Sequence, residues 1–220
     1  MTRRRKRILT VAAGLTLATA CGVHACKPRV SDPQRAALAE RIRHPNATPF
    51  VPFAEFQDKD FYLCCTMRFN DDHDASDANY SYPNVRGYTF RAGTKVHVVS
   101  VRWNDITIRP EGESERFNID FRFGTQKLNG RQFFHYVLVD ADPTTALAQA
   151  PKEIVDAVNE GRLLVGMTKE QAVMARGYPP FHQTTGIESD QWTYYFNRAS
   201  VDHVTFVDGK ITAIERGPAP

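Results

Sequence analysis

The 220-residue sequence lacks the short motifs that mark most metal and nucleotide sites. It contains no C-x-x-C, no H-E-x-x-H and no paired Cys/His spacing, which argues against a zinc site. The patterns G-x-S-x-G, G-x-G-x-x-G and the P-loop are also absent, so the sequence offers no local signature of a hydrolase nucleophile or of nucleotide binding. We therefore expect no metal and no cofactor.

Outside the first seven residues, basic residues do not outnumber acidic residues. The formal net charge is +3, but five of the 28 basic residues lie in the segment 3–7, and residues 1–20 contain no acid. Without that segment, 23 basic residues face 25 acidic ones. A nucleic-acid partner is therefore not expected for the rest of the chain.

No apolar run is long enough to span a bilayer, and the longest candidate has the features of a signal peptide. The basic segment is followed by apolar residues 8–20, which end in the small residues Ala18-Thr19-Ala20. We expect residues 1–20 to be a signal peptide and the mature chain to be exported.

Cys21 follows directly, and the sequence LATAC resembles the lipobox of bacterial lipoproteins. The resemblance implies a diacylglycerol anchor, with acyl chains such as palmitate, on Cys21. Such an anchor would attach the protein to the membrane without making it span the membrane. By the same resemblance, Gly22 suggests the outer membrane, with the protein facing the periplasm. The alternative is plain secretion into the periplasm, with Cys21 as an ordinary first residue.

Cysteine is scarce, and its pairing stays open. There are four cysteines, and lipidation of Cys21 would leave Cys26, Cys64 and Cys65. Side chains alternate along a strand, so the adjacent Cys64 and Cys65 should face opposite sides. A bond between these two neighbours would be strained. One of them pairs with Cys26, or one is simply buried.

Residues 21–55 are predicted to be the lipidated N-terminus and a tether, and residues 56–143 an antiparallel β domain, as a small barrel or sandwich. A first strand is predicted from Phe61 to Phe69, and the clearest later strand alternates Phe117, Ile119, Phe121 and Phe123 with polar residues. Asn129-Gly130 indicates a hairpin turn that leads into a strand over residues 133–139.

Residues 144–217 are predicted to form a second module, in the order α-α-β-β-β. Pro151 opens its first helix. In the second helix, Thr168 and Gln171 have the spacing of a capping box, and Gly177 stands where a left-handed residue ends a helix. The overall prediction is therefore an α+β protein of two parts.

Three strands follow the second helix. The turn Asp208-Gly209 should pair Phe206 with Ile211 and Val204 with Ala213. Trp192 and Tyr194 share one face of the first of these strands and are expected in the core, whereas Tyr195 points to the opposite face.

GMTKEQAVMARGYP, WTYYF and VTFVDGKI together resemble the domain of BamE-type (SmpA/OmlA) outer-membrane lipoproteins. The resemblance covers roughly residues 153–215 and implies an envelope lipoprotein that supports assembly or scaffolding, with no catalytic residues. Arg176 stands where that family usually has a small or apolar residue. The matching motif residues are Gly166, Met167, Thr168, Gly177, Pro179, Trp192, Tyr194, Phe206 and Gly209.

Two groups of residues suggest a metal site or a catalytic site, but a structural role is the preferred interpretation of both. The acidic segment 70–77 suggests calcium, but it lacks the glycine and glutamate spacing of an EF-hand and is read as a solvated loop. Cys64 or Cys65 with a histidine suggests a nucleophile and base, but no local signature supports this, so they are read as core residues. The histidines concerned are His73, His97 and His135.

The function expected from these observations is non-enzymatic: an envelope protein that binds a protein partner or acts as an assembly scaffold. The expected partner-binding residues are Tyr195, Arg198, Phe181 and His182, because Tyr and Arg are enriched at interface hot spots. One alternative is a secreted inhibitor of a hydrolase, since modules of this element order resemble β-lactamase inhibitory proteins. Another is cell-wall glycan binding through the β domain.

Mass spectrometry of the exported protein tests the anchor. We expect the mature N-terminus to be Cys21 carrying diacylglycerol, because the small-residue cleavage site lies directly before this cysteine. An unmodified Cys21, or a mature chain that begins elsewhere, would contradict the lipid anchor.

Overall fold

The computed structural model describes residues 53–102, 104–122, 129–180 and 182–220, all of which belong to the unit Pro49–Pro220. The predicted signal peptide lies outside the described residues, as do Cys21, Cys26 and most of the predicted tether. Strands and helices occur together along the described chain, which confirms a mixed α+β fold.

The first part of the chain contains a six-stranded sheet with strand order β3-β7-β6-β5-β1-β8 and a separate pair, β2 and β4. The strands are β1 (Asp60–Leu63), β2 (Met67–Phe69), β3 (Asp74–Ser76), β4 (Tyr88–Phe90), β5 (Lys95–Val101), β6 (Asp105–Pro110), β7 (Phe117–Asp120) and β8 (Leu138–Val139). The alternation expected in β7 holds only at its start: Phe117 and Ile119 are fully buried, but the strand ends at Asp120, which is also buried, and Phe121 is half-buried. Phe123 lies outside the described residues.

The larger sheet is mixed, whereas an antiparallel one was expected. Strand β3 pairs with β7 in parallel, with Ala75 opposite Ile119. The acidic segment 70–77 is therefore partly strand. Asn118 Nδ2 donates to Asp74 Oδ1 at 3.0 Å, which adds a side-chain contact to this short pairing. Sequence patterns give no signal for such a pairing, because the two strands are far apart along the chain.

The hairpin predicted at Asn129-Gly130 is wrong, because this segment begins helix α1 (Gly130–Val137). The Asn129 side chain accepts from the Gln132 backbone N–H, and the Gln132 side chain accepts from the Asn129 backbone N–H, which is a full capping box. Phe133, Phe134 and Val137 form the buried side of the helix. Only Leu138 and Val139 of the predicted strand are extended.

The predicted first strand is interrupted at the two cysteines, and β1 and β2 join different sheets. Cys64 and Cys65 are both buried free thiols, so neither forms a disulfide. Thr66 then contacts two helices, because its N–H donates to the Met174 carbonyl at 2.9 Å and its hydroxyl to the Val158 carbonyl at 2.7 Å. This turn of the chain connects the first sheet to the helices.

The second part contains a 3₁₀ helix (Pro143–Leu147), helices α2 (Lys152–Asn159) and α3 (Lys169–Arg176), and strands β9 (Gln191–Asn197), β10 (Ser200–Val207) and β11 (Lys210–Pro218). The α3 capping box between Thr168 and Gln171 is confirmed, as is Gly177 at the helix end. The strands form an antiparallel meander in the order β11-β10-β9.

The expected register of the last hairpin is correct at its end but not beyond it. Phe206 pairs with Ile211 as predicted, whereas Val204 pairs with Ile214 instead of Ala213. The cause is a bulge between Thr205 and Phe206, where the pairing shifts by one residue. Trp192, Tyr194, Val204, Phe206 and Ile211 are buried against the helices.

Gly177 joins the two hydrophobic cores. It has φ 71° and ψ −173°, a conformation that is nearly exclusive to glycine. A Cβ at this position would lie 2.5 Å from the Tyr80 hydroxyl oxygen. The Gly177 carbonyl also accepts from the Tyr194 hydroxyl at 2.9 Å. Tyr80 belongs to the first core and Tyr194 to the second, so this glycine lets both rings meet the end of α3.

Replacing Gly177 by Ala should therefore lower the free energy of unfolding by about 2–4 kcal/mol, from backbone strain and the clash with Tyr80. Denaturant unfolding measures the loss. Gly112→Ala is the matched control, because Gly112 also has a positive φ, of 86°, but no atom lies within 4 Å of its added Cβ. Equal losses in the two variants would show that the contact with Tyr80 does not constrain this position.

Candidate partner-binding site

Tyr195 lies on the face of β9 expected from its position. Trp192 and Tyr194 are buried in the second core, and Tyr195 is half-buried on the other face. It pairs with Val201 of β10, next to a register shift between Ser200 and Val201. The strand therefore presents a tyrosine ring outside the core that the meander encloses.

The loop after α3 brings His182 against this ring. Thr184 is buried, and its hydroxyl accepts from the Thr193 backbone N–H at 3.1 Å, which ties the loop to β9. His182 Nε2 lies 3.1 Å from the Tyr195 hydroxyl, and the two rings are stacked with centroids 5.8 Å apart. Gln183 also donates to this hydroxyl, at 3.4 Å. The tyrosine is thus held by its ring and by its hydroxyl group.

Tyr82 comes from the turn region between β3 and β4 and meets Tyr195 with ring centroids 6.2 Å apart. Burial raises the pKa of Tyr82, and the nearby Tyr195 raises it further, while the Arg198 charge lowers it. Both phenols therefore lie in a partly desolvated patch beside a cation. No local pattern predicts the contact between Tyr82 and Tyr195, because only the folding of distant segments brings these two rings together.

These side chains surround one concavity of about 220 Å³. Three of the expected partner-binding residues, Tyr195, Arg198 and His182, line it together with Tyr82 and the buried Asp77. The fourth, Phe181, lies outside the described residues, as does the predicted lipidation site Cys21. Arg198 is exposed at the turn between β9 and β10.

The buried arginine Arg176 fixes two opposite walls of this concavity. It is the last residue of α3 and is only 3% exposed. Its Nε donates to the Ser81 carbonyl at 2.7 Å, and its Nη2 donates to the Tyr195 carbonyl at 2.6 Å. One planar guanidinium therefore sets the distance between the turn that carries Tyr82 and the strand that carries Tyr195.

Asp202 neutralises Arg176 inside the protein. Asp202 is 3% exposed, and its carboxylate accepts from Arg176 Nη1 at 3.5 Å and from Arg216 Nε at 2.8 Å. Burial lowers the pKa of Arg176, whereas the charge of Asp202 raises it. The burial of this Arg–Asp pair is tolerated because the two groups contact each other and the remaining donors of Arg176 reach backbone carbonyls.

The cysteines and histidines of the catalytic hypothesis are not brought together. Burial raises the pKa of the Cys65 thiol well above its ordinary value, which disfavours the reactive thiolate. His97 contacts Asp60 and Asp58 at 2.8 and 3.2 Å, and His73 stacks on Phe117. His135 packs against the Phe56 ring with centroids 4.6 Å apart.

A separate apolar cavity of about 400 Å³ reaches Cys64 and Tyr178. Burial raises the pKa of Tyr178 to about 12.

The acidic segment 70–77 uses its polar atoms within the fold. Asn70 Oδ1 accepts from the Asp72 and Asp74 backbone N–H groups at 3.0 and 2.8 Å. Within residues 53–102, 104–122, 129–180 and 182–220, no group of three or more His, Cys, Asp or Glu side chains has the arrangement of a metal site.

Comparisons of the chain with protein-family models, with curated proteins and with solved structures found no match. Each helix in the described ranges is too short or too polar to cross a bilayer.

Breaking the buried pair should be costly. We expect Arg176→Met to lower the free energy of unfolding by about 3–5 kcal/mol, because the buried Asp202 loses its buried cation and keeps only the half-exposed Arg216. The double variant Arg176→Met/Asp202→Asn should lose less than the sum of the two single losses, as measured by denaturant unfolding.

Lys152→Met is the matched control, since Lys152 forms an exposed ion pair with Asp156. Its expected cost is at most about 0.5 kcal/mol. If the two single losses simply add, Arg176 and Asp202 are not energetically coupled and the role given to them is wrong.

Proposed function

We propose that this protein is an exported, lipid-anchored envelope protein that acts without catalysis, as a protein-interaction or assembly scaffold. In this proposal, Cys21 carries the anchor and Tyr195, His182 and Arg198, together with Tyr82, contact the partner. A membrane anchor would raise the local concentration of the protein near envelope partners.

One observation carries the proposal. Three residues chosen from the sequence as partner-binding candidates line the same concavity, although they come from a loop, a strand and a turn. The concavity has the composition of an interaction hot spot, with two tyrosine rings, an imidazole and an exposed arginine. Because Arg176 fixes its walls from behind, the site is preorganised and a partner would lose little entropy in ordering it.

The residues suggest the chemistry of the partner segment. The face of the Tyr82 and Tyr195 rings suits an apolar side chain, and Arg198 at the rim suits a carboxylate. We therefore expect a protein segment with an acidic residue close to an apolar one.

The resemblance to BamE-type lipoproteins agrees with this proposal in the order of elements, α2, α3, β9, β10 and β11. In that arrangement the two helices cover the apolar face of the meander, and Tyr195 lies on its other face. Arg176 differs in type from the usual residue of that family, and here it hydrogen-bonds to Ser81 and Tyr195, which line the proposed site.

A photo-crosslinking amino acid beside Arg198 tests the site in the cell envelope. The amino acid is placed at position 199, so that Arg198 itself is kept. We expect a covalent adduct with a membrane-fraction protein, because residue 199 is exposed next to Arg198 at the edge of the concavity. The same amino acid at position 109, which is exposed on β6, should not give that adduct.

Once the partner is identified, its affinity for the Tyr195→Ala variant is compared with its affinity for the parent chain. We expect the substitution to weaken binding by about 2 kcal/mol, or about thirtyfold in Kd. Tyr88→Ala is the matched control, because Tyr88 is 40% exposed and does not line the concavity. No adduct at position 199, or equal effects of the two tyrosine variants, would refute the site. Capture of a single soluble hydrolase would instead favour the inhibitor alternative, and capture of peptidoglycan would favour glycan binding.

A further inference from the structure

A second cleft, of about 530 Å³, is lined by four arginines. It shares no lining residue with the concavity around Tyr195. Arg68, Arg162, Arg176 and Arg216 face two carboxylates, Glu160 and Asp202, which leaves two formal positive charges in the cleft. The arginines come from β2, from the segment after α2, from α3 and from β11, so only the folded chain assembles them.

Arg216 is held with its terminal nitrogens unused. Its Nε donates to Asp202 at 2.8 Å, and its guanidinium lies 3.5 Å from the centre of the Phe196 ring. Among the described residues, the Arg216 guanidinium forms no hydrogen bond other than this one from Nε. Since a guanidinium has five N–H donors, four remain for a ligand.

Arg162 is held in the same way. Its Nε contacts Glu160 Oε2 at 2.5 Å, and its side chain is half exposed. Arg68 differs, because Nη1 donates to the Thr89 hydroxyl at 3.0 Å and Nη2 to the Glu160 carbonyl at 2.5 Å. Two preorganised guanidinium forks, at Arg162 and Arg216, therefore flank a cleft in which Arg68 supplies further positive charge.

Positive charge outnumbers negative charge at the base of the cleft. Burial lowers the pKa of Arg176, the charge of Asp202 raises it, and the charge of Arg68 lowers it by a smaller amount. Burial also lowers the pKa of Arg68. Asp202 is a single carboxylate that Arg176 and Arg216 share.

We propose that this cleft binds an organic phosphomonoester. The ligand's two negative charges at neutral pH match the two unbalanced positive charges of the lining. Its oxygens match the parallel N–H donors of arginine forks, which bind phosphate in a bidentate manner. The cleft is much larger than a phosphate ion and has apolar walls at Leu163, Ile214 and Pro83, so the group that carries the phosphate should have an apolar face.

Calorimetric titration of the full chain with phenyl phosphate tests this proposal. We expect phenyl phosphate to bind more tightly than inorganic phosphate, which lacks the apolar part, and more tightly than benzoate, which carries one charge. Arg162→Gln should weaken phenyl phosphate binding about tenfold or more, because it removes charge-assisted hydrogen bonds. Arg162 is half exposed, so a thermal melt of this variant should match that of the parent chain.

Arg109→Gln is the matched control, since Arg109 is exposed on β6 and lies outside the cleft. Its affinity for phenyl phosphate should be unchanged. Benzoate binding as tight as phenyl phosphate, or equal affinity of the Arg162→Gln variant and the parent chain, would overturn the proposal.

A vesicle arm distinguishes a soluble ligand from a lipid headgroup. Co-sedimentation with phosphatidylcholine vesicles is compared with and without phosphatidic acid, whose headgroup is a phosphomonoester, so that any contribution of a lipid anchor cancels. Binding that depends on phosphatidic acid and on Arg162 supports a lipid source, and binding of phenyl phosphate alone supports a soluble one. Binding of neither refutes the site.

Discussion

The buried contact between Arg176 and Asp202 is the interaction on which the described structure depends. Both side chains are almost completely buried. An unpaired charge in such a buried position would be very costly. The pair is tolerable because the carboxylate has a second cation, Arg216, and the guanidinium reaches two backbone carbonyls. These bonds join α3, the turn at Ser81 and all three strands of the meander, so one ionic centre links the meander sheet to a helix and a turn outside it.

Two surfaces follow from this centre. Where Arg176 meets the carbonyls of Ser81 and Tyr195, it fixes the walls of an aromatic concavity. Where it meets Asp202, it forms the base of an arginine-lined cleft. We propose a protein segment as the ligand of the concavity and a phosphorylated group as the ligand of the cleft. The physical difference lies in the arginines: one exposed arginine serves the first surface, and four arginines with two carboxylates serve the second.

The buried cysteines and tyrosines and three histidines of the described chain take part in packing and pairing. Burial raises the pKa of Cys65, which favours the thiol over the thiolate. His73, His97 and His135 contact carboxylates or aromatic rings instead of the cysteines. The tyrosines Tyr80 and Tyr194 are fully buried, and burial raises the pKa of each, so both serve as neutral packing groups with hydroxyl contacts. Both tyrosines contact Gly177 at the end of α3, so this helix end also fixes the position of the two rings.

The sequence by itself determined features whose physical causes are local. These features depend on residues within one helical turn or one strand of each other. They are the capping box at Thr168, the end of α3 at Gly177 and the placement of Tyr195 on the face opposite Tyr194. Asn129-Gly130 shows the limit, because this dipeptide fits a hairpin turn and a helix start equally well until the capping box and the burial of Phe133 and Phe134 decide between them. The tertiary structure alone decided the parallel pairing of β3 with β7, the approach of Tyr82 to Tyr195 and the burial of Arg176 against Asp202. Each of these joins segments distant along the chain, and the free energy that fixes them comes from burial and charge pairing, which no short stretch of sequence contains.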